Sequence, residues 1–465
     1  MMQPIKFIHM ADTHLGNQQY NLPERKRDFN KAFNWVLNKS ITEEVDFILL
    51  AGDVFNSNNS EPETIAAIYQ MISEFKNNSM QNLKREIPII AIEGNHDKSN
   101  ISTKRSWLQF LAELELIILL SPKTNNKEEY TIFKFVPYSE NKKNPGMIRI
   151  KDTCIYGIPS YGAMTKTYFP DIYNALPDSS DTFNILMMHF GINGQVINKL
   201  GFEMSEDLKL LHKKVNYLAL GHFHKKYALP KNKEWVFNPG SLEVTDAREI
   251  WENYPRGIFL VEVHDKENPN IRHIPWVKGK SESPDEIPNR FFADITIDIG
   301  KNDSSSFKEA LSYILESLKI ILEKKGTAHL KKNDLELPIV LLTLNGTISY
   351  SRLEVNINKL KERIKEKYDV LDVRVFSGSV KSEIDGIVVD ISSEKSLEEI
   401  EKDVFLQLIE QHPDYEPHKN DIIQLMLDLK SSILDPKKNF DQLRNQIKLW
   451  WRSHISLPQG ELNKN

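Results

Sequence analysis

Residues 87–97 read Ile87-Pro-Ile-Ile-Ala-Ile-Glu-Gly-Asn-His-Asp97, and how they are read decides the fold. The apolar run from Ile87 to Ile92 is short and rich in isoleucine, the composition of a buried strand. Asn95, His96 and Asp97 arrive together where that strand should end, and Gly94 lets the backbone turn sharply just before them. In open α/β sheets, ligands bind beyond the carboxyl ends of the strands. The junction therefore predicts both an α/β sheet and a site.

Working outward, the same rhythm of strand, polar turn and helix recurs over residues 1–275. Strands are expected at 6–10, 46–50 and 87–92, and amphipathic helices at 27–39, 63–75 and 103–114. Later strands are shorter and closer together, at 130–136, 153–158, 183–188, 217–220, 235–238 and 257–264. The expected class is α/β (α+β), with helices enclosing two packed sheets. Gly279 to Pro288 is polar and proline-bearing and reads as a linker. Beyond it a small βαβαβ unit is expected, with strands at 293–299, 339–344 and 370–376 and helices at 307–324 and 352–367. A second polar break is expected at 377–384. The last segment reads as helical: Ser396 and Glu399 form a capping-box pair, and Leu397, Ile400, Val404, Leu408 and Ile409 an apolar stripe. The expected domains are 1–278, 289–376 and 377–465.

The 465 residues carry 60 Lys+Arg and 65 Asp+Glu, a formal net charge of −5. That excludes a globally basic nucleic-acid binder and leaves room for a local basic surface. The single cysteine, Cys154, rules out an internal disulfide and suits a reducing compartment. No apolar run reaches the ~18 residues of a membrane helix, and the N-terminus has no secretory leader pattern. A cytoplasmic, non-secreted protein is expected.

Five motifs follow in order: Asp12-Thr-His14, Gly52-Asp53, Gly94-Asn-His-Asp97, His189 and Gly221-His-Phe-His224. In extended backbone, residues i and i+2 share a side, so Asp12 with His14, and His222 with His224, are expected to face one point. Before His96 is counted, the set offers four histidines, two aspartates and an asparagine. That is more than one tetrahedral zinc takes. Two ions sharing a carboxylate fit better, and mixed imidazole and oxygen donors favour manganese, iron or zinc over calcium. Such a pair, ~3.5–4 Å apart, clamps a phosphoryl oxygen and activates a water, while a nearby imidazole protonates the leaving oxygen. Each fragment alone also has a blander reading. A lone aspartate at a strand end is commonly a cap, and a histidine after Met187-Met188 is commonly a core residue. The ordered set outweighs both. His9, with apolar Phe7 and Ala11 two residues either side, reads as core or as a residue standing behind the ligands rather than as a ligand itself.

This order of motifs resembles the calcineurin-like metallophosphoesterase superfamily. Ala11-Asp-Thr-His-Leu-Gly16, Gln19-Tyr-Asn-Leu-Pro-Glu-Arg25 with Asp28-Phe29, and Phe237-Asn-Pro-Gly-Ser-Leu-Glu243 resemble more closely its SbcD-like (meiotic-recombination-eleven) family of DNA double-strand-break repair nucleases, archaeal type. The resemblance is sharp over residues 5–265 and topological beyond them. It implies a two-sheet metallophosphoesterase sandwich, a DNA-capping βαβαβ domain, and a C-terminal helical segment that binds an SMC-like (SbcC-type) ATPase. It implies a homodimeric, manganese-dependent DNA exonuclease and endonuclease with two Mn2+ per subunit. Asp12, His14, Asp53 and His224 would hold one ion. Asp53, Asn95, His189 and His222 would hold the other, with Asp53 bridging. His96 would be the proton donor, and Asp97 would orient its imidazole or buttress its loop. One residue departs from the pattern: where the family commonly has a histidine after G-D-x-F, this chain has Asn56. An asparagine is neither acid nor cation, which shifts the expected balance from exonuclease towards endonuclease.

Arg25 and Lys98 flank the motif loops and are candidate DNA contacts, weighed against an ordinary solvated face. The 103–114 helix, with Trp107, Leu108 and Leu111, is a candidate dimer contact. Trp450-Trp451 suits a partner anchor and a bundle core equally. Two other functions share the same ligands: a phosphodiesterase or phosphatase on small substrates, and an inactive scaffold of the same fold.

Overall fold

The computed structural model describes residues 3–99, 105–178, 181–276, 286–302, 304–324 and 337–382, and, further on, 402, 405–406, 409, 415, 418–433, 443–445 and 447–450. Strands β1 (Ile5–Met10), β2 (Phe47–Ala51), β3 (Ile89–Ile92) and β4 (Ile118–Leu119) lie side by side and parallel. An antiparallel hairpin follows, β5 (Lys123–Asn126) with β6 (Thr131–Lys134). The second sheet comprises β7 (Met147–Ile150), β8 (Thr153–Gly157), β9 (Phe183–His189), β10 (Tyr217–Gly221), β11 (Tyr227–Leu229) and β12 (Val236–Asn238). Its spatial order is β11-β12-β10-β9-β8-β7, with β8, β9, β10 and β12 parallel. The chain then returns to the first sheet, where β13 (Gly257–Val263) pairs antiparallel with β1, and β14 (Asn270–Pro275) with β13.

Strand alternation decides what lies between the sheets. Phe7, Phe47, Leu49 and Ile90 of the first sheet pack with Ile185, Met187, Tyr217 and Ala219 of the second in one buried layer. Each large side chain there contributes ~1.5–3 kcal/mol of transfer free energy. The opposite face of the first sheet, with Ile8, Ile48 and Leu50, is equally buried. Parallel strands need crossovers, and here these are the helices α1 (Pro23–Thr42) and α2 (Pro62–Leu83). Burial on both faces is why β2 reads as an unbroken apolar run rather than an alternating one. His9 belongs to the middle layer and is fully buried. Its Nδ1 lies 3.0 Å from the Tyr217 hydroxyl and its Nε2 3.1 Å from the Leu220 carbonyl, a polar tie between the sheets. Burial pushes its pKa down to about 3, against the Leu220 carbonyl, so the ring is neutral at pH 7.

The 103–114 helix is shorter than expected. It is α3 (Trp107–Glu113), started by Ser106, whose hydroxyl accepts from the Gln109 amide at 3.1 Å. Leu108 and Leu111 are buried within their own fold, so they are not available to a second subunit. Phe110 and Leu114 are the exposed apolar residues here.

Arg25 is also placed differently from its expected role. It is fully buried and cannot meet a DNA phosphate. Its guanidinium lies 2.6 Å from Asp28 and 3.2 Å from Glu243, donates to the Gln19 side chain and the Val244 carbonyl, and sits over the Phe29 and Phe292 rings. Asp28 is shared: Arg290 reaches the same carboxylate through Nε at 2.6 Å and Nη2 at 2.8 Å. A charge three residues before an aspartate on a helix carries no signal of burial, because tertiary contacts bring Glu243 and Arg290 to it.

Next along the chain are α4 (Phe169–Ala175), α5 (Glu206–Leu210) and α6 (Ala247–Trp251); Phe169, Ile172 and Leu208 pack on Leu186, Met188, Leu218 and Leu220, the outer face of the second sheet. Further on, β15 (Phe292–Asp298), α7 (Phe307–Lys324), β16 (Ile339–Ile348), α8 (Ile357–Lys367) and β17 (Asp372–Ser382) follow in the expected βαβαβ order, with the strands in the order β15-β16-β17. β17 runs through the expected break at 377 because its far half is only half-buried, with Val380 its one buried side chain there, and so reads as polar. The chain divides into two compact units: 1–295 with 322–341 and 365–374, and 296–321 with 342–364 and 375–465. That division does not fall at the expected linker, most of which, with the Ser396 capping box, the greater part of the apolar stripe and Trp451, lies outside the described residues. α9 (Lys419–Ile433) lies in the second unit. Among the described residues, no helix is long and apolar enough to cross a membrane.

Removing Asp28 would take the shared carboxylate from two buried guanidinium groups, leaving Arg25 paired with Glu243 and breaking the bidentate pair of Arg290. Asp28→Ala is expected to cost ~3–5 kcal/mol in urea unfolding. Lys26→Ala, which removes a half-exposed pair with Glu61, should cost under about 1 kcal/mol. Equal effects would rule out the structural role given to Asp28.

Candidate metal centre

β1, β2 and β3 end beside one another in the first sheet, and β9 and β10 do so in the second. Past those ends the backbone is not extended. Asp12, His14, Asp53 and His222 have φ of 51°, 43°, 51° and 95°, the left-handed region that costs a non-glycine residue ~1–3 kcal/mol. The loops hold each other there: the Asp12 amide donates to the Gly52 carbonyl at 3.0 Å, and the His14 amide to the Asp53 carbonyl at 3.1 Å. The His222 amide donates to both oxygens of Asp12 at 2.9 Å.

This geometry corrects the expectation from i, i+2 spacing. His222 and His224 do not face one point, because the turn at His222 sends the two rings apart. Asp12, His14 and His224 form one group of ligand atoms, all within 4.8 Å of one another; Asp53, His189 and His222 form a second. Asn95 stands with the second, its amide oxygen 3.2 Å from His189 Nε2 and 3.0 Å from His222 Nδ1. Asp53 Oδ2 is 3.2 Å from His189 Nε2.

The donor chemistry fits divalent cations. His14 Nε2 and His224 Nε2 approach to 3.1 Å. Two imidazole nitrogens converging beside a carboxylate are a ligand set. Burial, then His224, pushes His14 down to about 3, and burial, then His189, does the same to His222. Both are neutral at pH 7, the form that binds metal. Burial raises Asp12 to about 6 against the nearby His189 and His224. Burial would also raise Asp53, but His189 and His14 hold it below the ordinary carboxylate range. His189 is raised to about 9, Asp53 outweighing the effect of burial.

His96 and Asp97 separate in role. The Asp97 carboxylate is buried and accepts from the amides of Phe55, Gly94 and Val54 at 2.9, 2.9 and 3.2 Å. Burial, then Asp53, pushes it up to about 7 against those amides. It buttresses the loop and does not orient the imidazole. His96 is instead held through Nδ1, 2.8 Å from the carbonyl oxygen of Asn56. The residue that departs from the sequence pattern therefore positions this ring with its backbone. His96, Asn95 and Lys98 are exposed. Behind His224 stand Thr245 and Glu249, which sequence reasoning did not single out. A glutamate in a five-residue helix has no periodicity to mark it.

Two glycines are obligatory. Gly52 has φ 84°, and a Cβ there would strike His189. A Cβ at Gly94 would strike the amide and carboxylate of Asp53. Gly94→Ala is expected to cost ~1–3 kcal/mol in thermal unfolding and to weaken uptake of Mn2+ in a calorimetric titration. Unchanged uptake would mean that Asp53 is not part of a metal site.

The family model described as calcineurin-like phosphoesterase matches residues 5–226. The DNA double-strand break repair protein Mre11 of Archaeoglobus fulgidus is 30% identical over 252 residues, covering 53% of this chain and 52% of that protein. Mre11 of Methanosarcina acetivorans is 27% identical over 384 residues, 79% of this chain and 52% of that protein. Mre11 of Sulfolobus acidocaldarius is 23% identical over 420 residues, 86% of this chain and 97% of that protein. The chain spans about half the length of the first two. With its ordered motifs gathered at the strand ends of a two-sheet fold, the chain is similar to the calcineurin-like phosphoesterases over residues 5–226 and to archaeal Mre11 proteins over a longer stretch.

Proposed function

We propose that the chain is a manganese-dependent DNA nuclease of double-strand-break repair. It hydrolyses phosphodiester bonds in the cytoplasm as a homodimer with an SMC-like ATPase. The observation that carries this reading is the pair of adjoining groups, Asp12/His14/His224 and Asp53/His189/His222. They would hold two Mn2+, with Asp53 between them and Asn95 completing the second group. Ions bound there supply a Lewis-acid clamp on the phosphoryl group and make water a stronger nucleophile. Asn95 contributes an oxygen without adding negative charge beside the phosphate. His96, whose Nδ1–H donates to the Asn56 carbonyl, acts as the imidazolium, protonated at both ring nitrogens, and delivers the Nε2 proton to the leaving oxygen, returning to the neutral Nδ1–H ring. Lys98, exposed beside that loop, contacts the DNA backbone. Residues 289–376 cap the DNA, and residues 377–465 bind the ATPase. With Asn56 in place of a histidine, endonuclease activity outweighs exonuclease activity.

With Mn2+, purified protein is expected to nick circular single-stranded DNA, and a chelator should abolish this. His96→Asn should keep its bound Mn2+ and lose ~100- to 10,000-fold in turnover. Asp53→Ala should lose both, and DNA cleavage that survives it would sink the mechanism. Turnover of an aryl phosphodiester without any of DNA would favour a small-substrate enzyme.

A further inference from the structure

A buried polar chain runs from the first ligand group into the core. His224 Nδ1 lies 2.7 Å from Glu249 Oε1 and 2.9 Å from the Thr245 hydroxyl. That hydroxyl donates to Glu249 Oε1 at 2.7 Å, and the Thr245 amide donates to Oε2 at 3.2 Å. Arg256 Nη1 stands 2.6 Å from Glu249 Oε2 and also donates to Ser241 Oγ and the Glu243 carbonyl. Glu249 is 4% exposed and Arg256 0%. The glutamate is therefore held by a hydroxyl, an amide and a guanidinium, and its remaining partner is the ring of His224.

The second group is backed differently. His189 Nδ1 meets the Ala51 carbonyl at 2.8 Å, a neutral acceptor. A carboxylate is the stronger acceptor: it holds the proton on the near ring nitrogen, leaves the far nitrogen's lone pair for a cation, and raises that nitrogen's basicity. The face of Glu249 towards His224 accepts, so His224 Nδ1 donates and Nε2 is turned towards His14.

We infer that Glu249 is a positioning residue for metal: it sets the tautomer and ring orientation of His224 and makes Asp12/His14/His224 the tighter of the two groups. The inference rests on the metal reading above and deepens it by ordering the sites. The same chain explains why Arg256 is buried so close to a site for cations: its charge is spent on Glu249, two groups back from the ligand atoms.

Calorimetric titration of the full chain with Mn2+ alone tests this without turnover. The unaltered protein should bind in two steps. Glu249→Gln should weaken the tighter step ~10- to 100-fold and leave the weaker one unchanged, whereas Asn95→Ala should weaken the other step. Two unchanged steps in Glu249→Gln, or loss of the step that Asn95→Ala weakens, would overturn the inference while leaving the proposed function standing. No uptake by the unaltered protein would overturn both. Should Glu249→Gln not fold, its combination with Arg256→Met removes the buried charge left behind. Nitrogen-15 spectra of histidine-labelled unaltered protein give an independent reading: His224 is expected as the Nδ1–H tautomer, and the Nε2–H tautomer would refute the assignment.

Discussion

The hydrogen bond from the Asp12 amide to the Gly52 carbonyl, 3.0 Å long, joins two parallel strands at the point where both leave the sheet. The site depends on it and on its neighbour from His14 to Asp53. Together they hold Asp12, His14 and Asp53 in left-handed backbone that an isolated loop would not keep. The strain is offset by the layer beneath, where Phe7, Phe47, Leu49 and Ile90 are packed against the second sheet and cannot shift without opening the core. Rigidity of the sheets thus becomes precision at the ligands.

The glycines answer to the same constraint. Gly52 and Gly94 are where one loop's backbone lies against another loop's ligand, so their lack of a side chain is a matter of space. Asp97 works from within the same cluster, gathering three amides from two loops onto one carboxylate. Buried charge has a comparable use further out. Asp28 ties Arg25 to Arg290, and Glu249 ties Arg256 to His224. Such pairs add little net stability against an apolar alternative, but losing one partner is expensive, so each specifies a single arrangement of the elements it joins. Asn95 and His96 are the polar motif residues left exposed to solvent.

Legibility in the sequence followed the range of the interaction. Strands such as β2 and β3 were evident from apolar runs, and the motif residues were evident from their position at strand ends, because both depend on neighbours along the chain. β17 was read short, since a half-exposed strand rich in serine has too faint an alternation to register. The Arg25 loop was read as a DNA contact, since an arginine beside motif residues looks the same whether it faces solvent or Asp28, Glu243 and Phe292. Glu249 and Thr245 could not be found at all, because what marks them is their distance from His224, 21 residues or more upstream.

By itself the amino-acid sequence determined the class of fold, the order of the motifs and the inventory of donors, all properties of local pattern and side-chain chemistry. The motif resemblance implied how those donors divide, but residue spacing did not, and the tertiary structure supplies the geometry behind the division. Spacing put His222 with His224, but a left-handed turn at His222 separates their rings, and the meeting of two sheets assigns one to Asp53 and His189 and the other to Asp12 and His14. Tertiary structure alone decided that Asn56 holds His96 by its carbonyl and that Asp97 does not. The reason is that orientation of a side chain at a strand end depends on backbone torsion, and that torsion is set by hydrogen bonds to loops dozens to hundreds of residues away.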